Sequence, residues 1–287
     1  MLAPDYGVSG GMKPGVAPFE RVLIAGIGLI GSSFALALRR AGLAKRIIAL
    51  DHTPDHVAEA LQLGLVDEAG DDPALAAGAD LIVLCVPVGA CGKVAAKLAP
   101  YLAEGAIVTD VGSVKQAVIR DVAPVLPPHV HFIAGHPIAG TEHSGPSAGF
   151  AELFDGRHCI LTPAEGANPE AVARLQTAWE ALGSRVTIMS AEHHDRVLAI
   201  TSHLPHLIAY NIVSTAADLE EVTDSEVIKY SAGGFRDFTR IAASDPTMWR
   251  DVFLNNREAV LEMLQRFSED LSVLQRAITR IGPSAWA

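Results

Sequence analysis

Several places along the chain gather side chains able to move protons or hold anions. Asp110-Val111-Gly112-Ser113-Val114-Lys115 sets a carboxylate, a hydroxyl and an ammonium within one short run. Taken alone, Ser113 reads first as the N-cap of a helix that starts at Val114. Gly135-His136-Pro137 heads a polar segment that continues through Thr141, Glu142 and His143 to Gly145. An imidazole is the side chain suited to taking a proton near neutral pH. Held between Gly and Pro at the end of an apolar run, His136 is poorly explained by packing, although a lone histidine here fits structure and catalysis equally. Ser202-His203-Leu204-Pro205-His206 places two histidines three apart, on one helical face. They suit a substrate pocket or a satisfied polar spot between helices. Phe235-Arg236-Asp237-Phe238-Thr239-Arg240 supplies two guanidinium groups able to bind carboxylates, with Asp237 spaced to orient Arg240. The alternative for these arginines is a solvated face. His193-His194-Asp195 has a faint metal-binding look, but no third ligand stands at a recognisable spacing, so no metal site is expected.

The elements that must position these groups start with a glycine turn. Val22 to Ala25 is a short apolar run, followed by Gly26-Ile27-Gly28-Leu29-Ile30-Gly31, a helix-like segment to Arg40 that stops at Gly42, and a second apolar run, Ile47 to Leu50, ending on Asp51. Strand, glycine turn, helix, strand and acid together describe a dinucleotide site. Gly26 permits the tight turn, Gly28 lets the backbone approach a pyrophosphate, and Gly31 lets the helix pack close to the strand. The helix N-terminus offers free N–H groups and a positive dipole end. Asp51, twenty residues after Gly31, is spaced to accept ribose hydroxyls. Leu81 to Val86 reads as a strand buried on both faces, and Pro87 ends it at the carboxyl end, where ligands sit in open α/β sheets. Val86 and Pro87 therefore join Gly26, Ile27, Gly28, Leu29, Ile30, Gly31, Asp51 and Ser113 as cofactor-contact candidates. Further strands are expected at Ala106 to Thr109, Val130 to Ala134, His158 to Thr162 and Arg185 to Met189. Placed after one of these strands, His136 lies where a nicotinamide ring would lie.

After Ser190 no strand-like run appears, and apolar residues recur at three and four. Ala191 to Ala217 reads as one or two helices, broken or kinked near Pro205, and Asp245-Pro246 starts a long helix expected to reach Ile278. The apolar positions on that last helix are too many for one covered face. The chain is thus expected to hold a flexible tail at 1–18, a Rossmann-type doubly wound α/β domain at 19–189 and an all-α domain at 190–287 for substrate and dimerisation.

Composition sets the outer bounds. The chain has 287 residues, 49% of them hydrophobic and 19% charged, enough apolar material for a sizeable core. A net charge of −11 argues against nucleic acid and anionic membrane surfaces as partners. Three cysteines, Cys85, Cys91 and Cys159, are too few for a disulfide framework and fit buried thiols in a reducing cytoplasm. The Gly- and Pro-rich first residues lack the basic start and apolar run of a signal peptide. Val22 to Leu38 is nearly free of charge, yet its glycines and serines fall at strand–turn–helix positions, not along a membrane span.

With these residues in view, the chain resembles the prephenate/arogenate dehydrogenase family of tyrosine biosynthesis. The resemblance runs from Arg21 to about Phe267 and rests on GIGLIGSS at 26–33, DVGSVK at 110–115, GHPIAGTEHSG at 135–145, SHLPHLIA at 202–209 and GGFRDFTRIAASDPTMW at 233–249. It implies NAD at the glycine turn, His136 as catalytic base and Ser113 assisting at the same substrate hydroxyl. It also implies His206 in the substrate pocket and Arg240 on a substrate carboxylate, with Thr141, Glu142 and, more weakly, Arg236 lining the same pocket. A homodimer through the helical domain is a further implication. Two other readings share parts of this pattern. A β-hydroxyacid dehydrogenase would be expected to use a lysine in its helical half, where Lys229 is the only one. A nucleotide-sensing module would need no His136, His206 and Arg240 together.

Overall fold

The computed structural model describes residues 17–141, 143–220 and 229–280. Most of the expected tail, up to residue 16, and Glu142 lie outside these residues. By internal packing the chain divides between His194 and Asp195 into two compact units.

The first unit is built on eight strands: β1 (Val22–Ala25), β2 (Ile47–Leu50), β3 (Glu68–Gly70), β4 (Leu81–Leu84), β5 (Ile107–Asp110), β6 (His131–Pro137), β7 (His158–Pro163) and β8 (Arg185–Ile188). They form one sheet in the order β3-β2-β1-β4-β5-β6-β7-β8. The first six follow the doubly wound dinucleotide order, and the strand order reverses between β1 and β4. Every pairing is parallel except β6 with β7. The sequences VLIA of β1 and LIVL of β4 are buried at every position, as parallel strands covered on both faces must be.

Among the described residues five α-helices accompany the sheet: α1 (Leu29–Ala41), α2 (Pro54–Gln62), α3 (Cys91–Leu98), α4 (Lys115–Val122) and α5 (Pro169–Ala181). Gly42, at φ 64°, ends α1 and returns its N–H to the carbonyls of Arg39 and Leu38. Asn168 starts α5 by accepting the amides of Glu170 and Ala171, with Pro169 at the first helical position. Phe34 of α1 and Trp179 of α5 meet at 5.0 Å between ring centroids, and Phe154 closes on Trp179 at 5.2 Å. This aromatic cluster joins the two helices in the core.

β6 runs further than the sequence indicates. The apolar signal stops at Ala134, yet the strand continues through Gly135, His136 and Pro137. The reason is the antiparallel partner: β7 pairs Gly135 with Leu161, His136 with Ile160 and Pro137 with Cys159. His136 is therefore held by a sheet rather than by a loop after one.

The division falls within α6 (Ala191–Leu198), which leads into a π-helical segment, Ala199–His203, and then α7 (Leu204–Glu220). Pro205 has no N–H to donate back along the helix, and the widened turn just before it absorbs the lost bond. The stretch Ala191–Leu219 is long and apolar enough, by length and composition, to cross a membrane. Its Leu198, Ala199, His203, Leu204 and Ala209 are nevertheless buried within the protein.

α8 (Gly233–Thr239) runs into a 3-10 turn, Arg240–Ala243. The single helix expected from Asp245 to Ile278 is two, α9 (Pro246–Asn255) and α10 (Arg257–Arg280). Asn256 breaks it. Its backbone leaves the helical region, and its buried amide donates to the carbonyl of Asp195 at 2.8 Å and to Nδ1 of His203 at 3.0 Å. A polar side chain committed in this way fixes where the two helices part.

Candidate active site

Gly26 and Gly31 set the turn after β1. Gly26 stands at φ 97°, and a Cβ there would come 2.5 Å from the Cys85 carbonyl oxygen at the end of β4. A Cβ on Gly31 would meet the Gly26 carbonyl oxygen at 2.1 Å. Gly28, the N-cap of α1, faces open space instead, with nothing within 4 Å of where its Cβ would stand. Two glycines thus serve close packing of strand and helix, and the third leaves the helix N-terminus bare for a phosphate. Ile27 is fully buried beneath the turn, Leu29 and Ile30 are half-buried in the first turn of α1, Val86 borders Gly26 just past the end of β4, and Pro87 follows it. Every one of these positions lies at the carboxyl ends of β1 and β4, where the strand order reverses.

Ser32 and Ser33 extend this design. Ser32 donates to the Ile27 carbonyl at 3.1 Å, and Ser33 Oγ accepts the Phe150 amide at 3.1 Å. Gly149 lies so close that a Cβ there would be 2.5 Å from Cβ of Ser32. The segment that follows the Gly135-His136-Pro137 motif is thereby docked on the start of α1.

Asp51 is buried just after β2. One oxygen accepts the Ile27 amide at 3.0 Å and the other the Thr53 amide at 2.9 Å. Burial pushes its carboxyl up, but these two amides, together with His56, outweigh it and hold it below the usual aspartate value. A carboxylate oxygen has more than one acceptor site, so each retains capacity for a ribose hydroxyl. The residues present therefore fit a dinucleotide: a bare helix N-terminus, an anion beside it and a flat approach at Gly28.

Asp110 and Lys115 are both fully buried. The Lys115 ammonium bonds Asp110 and donates to the Gly135 carbonyl at 2.6 Å. Asp110 in turn accepts the Gly112 amide at 2.8 Å and the Gly135 amide at 3.1 Å. One buried ion pair ties the end of β5, the following loop and the end of β6 together. Ser113 lies in that loop. It is not a helix cap: Val114 occupies the N-cap position of α4 without any side-chain bond, and Ser113 stays half-buried in the loop. The next strand carries His136, itself buried, with Nδ1 2.8 Å from Nε2 of His194. Thr141 is exposed and accepts the His143 amide, and Glu142 lies outside the described residues.

In the second unit His206 stacks on Trp249, with centroids 3.6 Å apart and rings 19° from parallel. Its Nδ1 lies 2.9 Å from the Ser202 carbonyl oxygen, which can only accept, so Nδ1 carries the hydrogen and Nε2 offers a lone pair. Burial pushes its pKa down, against a smaller upward pull from that carbonyl, and favours this neutral form. α7, which bears His206, packs against α8 and against the turn Arg240–Ala243, and Tyr210 donates to the Ser244 carbonyl at 2.7 Å. Arg236 and Arg240 are exposed in the second unit, and among the described residues neither forms an ion pair. The expected Asp237–Arg240 pairing does not form, which leaves the guanidinium groups available to an external carboxylate. Among the described residues no group of three His, Cys, Asp or Glu side chains is arranged to hold a metal ion.

Two features of this geometry escaped the sequence. The Asp110–Lys115 pair had a signal, a lysine at the first helical position five residues after an acid at a strand end. The His136–His194 contact had none, because its members are 58 residues apart.

Comparison with known proteins places the chain in a family. The model for "Prephenate dehydrogenase, nucleotide-binding domain" matches residues 34–188, beginning just after the glycine turn. "Prephenate dehydrogenase, dimerization domain" matches 190–282. The chain is 45% identical to the cyclohexadienyl dehydrogenase of Zymomonas mobilis, over 91% of this chain and 89% of that protein. It is 35% identical to the prephenate dehydrogenase of Bacillus subtilis, over 89% of this chain and 69% of that one. Among solved structures it is similar to A. aeolicus prephenate dehydrogenase in complex with hydroxyphenyl propionate and NAD+, at a TM-score of 0.85 and 39% identity over 91% of each chain. Synechocystis arogenate dehydrogenase follows at a TM-score of 0.77 and 32% identity, over 90% of this chain and 92% of that one.

The Asp51 geometry makes a prediction about cofactor choice. Its carboxylate would repel a 2′-phosphate, and His52-Thr53-Pro54 offers no arginine to receive one. The protein should prefer NAD to NADP in kcat/KM, and Asp51→Asn should narrow the ratio by about tenfold, on the order of 1.4 kcal/mol. Equal kcat/KM for the two cofactors in the unmodified protein would contradict this.

Proposed function

The chain belongs to the prephenate dehydrogenase family, and on that premise we propose how its residues carry out the oxidative decarboxylation of prephenate, arogenate or both. The chain is an NAD-dependent oxidoreductase of tyrosine biosynthesis, and its products are 4-hydroxyphenylpyruvate from prephenate and tyrosine from arogenate. In this reading residues 19–189 hold the cofactor, and residues 190–287 serve the substrate and the dimer contact. The observation that carries the assignment of roles is His136, a buried imidazole at the carboxyl end of β6 in a dinucleotide-binding sheet.

The substrate ring bears a hydroxyl at C4 and a carboxylate at C1. NAD, held by the Gly26–Gly31 turn and Asp51, would supply the acceptor for the hydride that leaves C4. His136 takes the hydroxyl proton as the C4 carbonyl forms, and Ser113, in the loop after the neighbouring strand β5, assists at the same oxygen. Loss of CO2 from C1 then leaves an aromatic ring, which drives the step forward. Arg240 holds a substrate carboxylate, supported by its exposed guanidinium and the lack of an ion pair among the described residues. His206, neutral and with Nε2 bare, accepts a hydrogen bond in the substrate pocket and leaves carboxylate recognition to the arginines. Thr141, Glu142 and Arg236 complete the pocket in the same reading.

A homodimer through the second unit accounts for its uncovered apolar surface. Leu254, Leu261, Val273 and Ile278 are each more than half exposed, at 64%, 51%, 55% and 66%. An apolar surface of this extent marks a protein contact.

Four measurements test the reading. Reduction of NAD should follow addition of prephenate or of arogenate, and a protein inert with both would refute the activity. In that assay Arg240→Ala should raise KM for substrate tenfold or more, from about 2–5 kcal/mol for a broken desolvated charge pair, and leave NAD affinity nearly unchanged. An unaltered KM would make the arginine structural. His136→Asn should lower kcat by about 10²- to 10⁴-fold and abolish the loss of activity on the acid side of the pH profile. The bare Nε2 of His206 supports one competing assignment, with His206 as the base. If His206→Asn removes the acid limb and His136→Asn keeps it, the two roles are exchanged. Sedimentation at micromolar concentration should give a dimer, and a monomer alone would exclude this interface.

A further inference from the structure

His193-His194-Asp195 has the look of a ligand run, but the structure separates its members. His193 is exposed, whereas His194 is fully buried and points to the strand that bears His136. Nε2 of His194 lies 2.8 Å from Nδ1 of His136, and the rings meet edge to face at 65° with centroids 5.1 Å apart. Both rings are fixed by their backbones. His136 is paired with Ile160 across β6 and β7. His194 sits in the first turn of α6, where its N–H donates to the Ser190 carbonyl at 3.0 Å and Ser190 Oγ accepts the His193 amide.

Two ring nitrogens at this distance share one hydrogen. If His136 Nδ1 donates, its Nε2 in the neutral ring is a lone pair facing away from His194. If His194 Nε2 donates, His136 Nδ1 is the acceptor and its Nε2 carries the hydrogen, which disables that nitrogen as a base. The histidine on β6 works as a base at Nε2 only in the first arrangement, and it is the acceptor on His194 that selects it.

We propose that His194 is the positioning residue for His136: it accepts the Nδ1 hydrogen, holds Nε2 bare toward the reacting hydroxyl, and shares the charge once that proton has arrived. This deepens the reading in which His136 is the base and rests on it. The proton balance is simple. The substrate O–H bond breaks and the His136 Nε2–H bond forms, while the Nδ1 hydrogen stays in the bond to His194 or crosses to its Nε2. No electron transfer is involved on the protein. The device has the form of a catalytic histidine oriented by a third group, with a neutral imidazole in the place where a carboxylate commonly stands.

The test uses the full-length protein with NAD and the substrate it turns over. His194→Phe keeps a ring but removes the acceptor, and His194→Gln keeps an acceptor near the same place. His194→Phe should lower kcat about 10- to 100-fold, the usual range for a lost orienting partner, with KM for substrate and the affinity for NAD within about twofold. His194→Gln should recover most of that loss. Equal losses in the two variants, or none in His194→Phe, would overturn the proposal.

Adding His194→Phe to His136→Asn should cause no further fall in kcat, because the two residues act as one unit. A further tenfold fall would show that His194 acts on its own and would also overturn it. Failure of the underlying reading looks different: His136→Asn would then keep full activity whatever His194 does. A measurement on the unmodified protein is independent of how the variants fold. Nitrogen NMR of 15N-histidine-labelled protein should show His136 with hydrogen on Nδ1 and a bare Nε2. The opposite tautomer would refute the proposal.

Discussion

The ion pair between Asp110 and Lys115 is the constraint on which the rest of the site depends. It lies wholly inside the first unit, and it bonds groups that must be held in register: the Gly112 amide, the Gly135 amide and the Gly135 carbonyl. A charge pair in an apolar interior is not chosen for stability, since desolvation offsets much of the attraction. Its effect is geometric. An apolar pair of equal volume would fill the space but bond neither the loop nor the strand. Removing one partner alone would leave a buried charge, a defect that typically costs about 3–5 kcal/mol. The loop holding Ser113 and the strand end holding His136 are therefore fixed together, so that an imidazole and a hydroxyl are held at the ends of neighbouring strands with little freedom.

The same economy appears on the cofactor side. Gly26 and Gly31 have no room for a side chain because β1, β4 and α1 converge there, whereas Gly28 has room and leaves it empty. Asp51 is tied back to the turn through the Ile27 amide, so the acid proposed to meet the ribose and the helix end proposed to meet the phosphates belong to one bonded unit. Ser32 and Ser33 then bring the segment ending at Phe150 onto the same helix start. The two sides of the first unit's site are thus built outward from the carboxyl edge of one sheet, where parallel strands all end together.

Much of this was legible in the sequence because it is local. A glycine turn bounded by two apolar runs and an acid is a statement about neighbours, and so are Asn168-Pro169 and Asp245-Pro246 as helix starts. What was not legible depends on partners far along the chain. β6 outlasts its apolar run because β7 hydrogen-bonds Gly135 to Pro137 from the other side, and no spacing within 130–137 announces that. Ser113 has the composition of a cap, but the backbone turns one residue later, at Val114. The long last helix is periodic in sequence, yet Asn256 breaks it through bonds to Asp195 and His203, 61 and 53 residues away. Arg240 and Asp237 have a pairing distance in sequence and no pairing in the fold, where both are exposed to water.

The use of a histidine beside His136 carries a chemical consequence that a carboxylate would not. An anionic partner stabilises the imidazolium strongly, because opposite charges in a low-dielectric interior attract far more than in water. That suits an enzyme whose histidine must stay charged through an intermediate. In the proposed mechanism the proton leaves the substrate once, as hydride departs, and must then be released so that His136 can act in the next turnover. A neutral imidazole orients the ring through the same hydrogen bond but adds no net charge. It also cannot be protonated together with His136 without setting two N–H groups against each other at 2.8 Å. The pair therefore holds a single positive charge at most. With the buried charge of Lys115 already balanced by Asp110 behind Gly135, the proposed histidine pair would take up one proton and give it back.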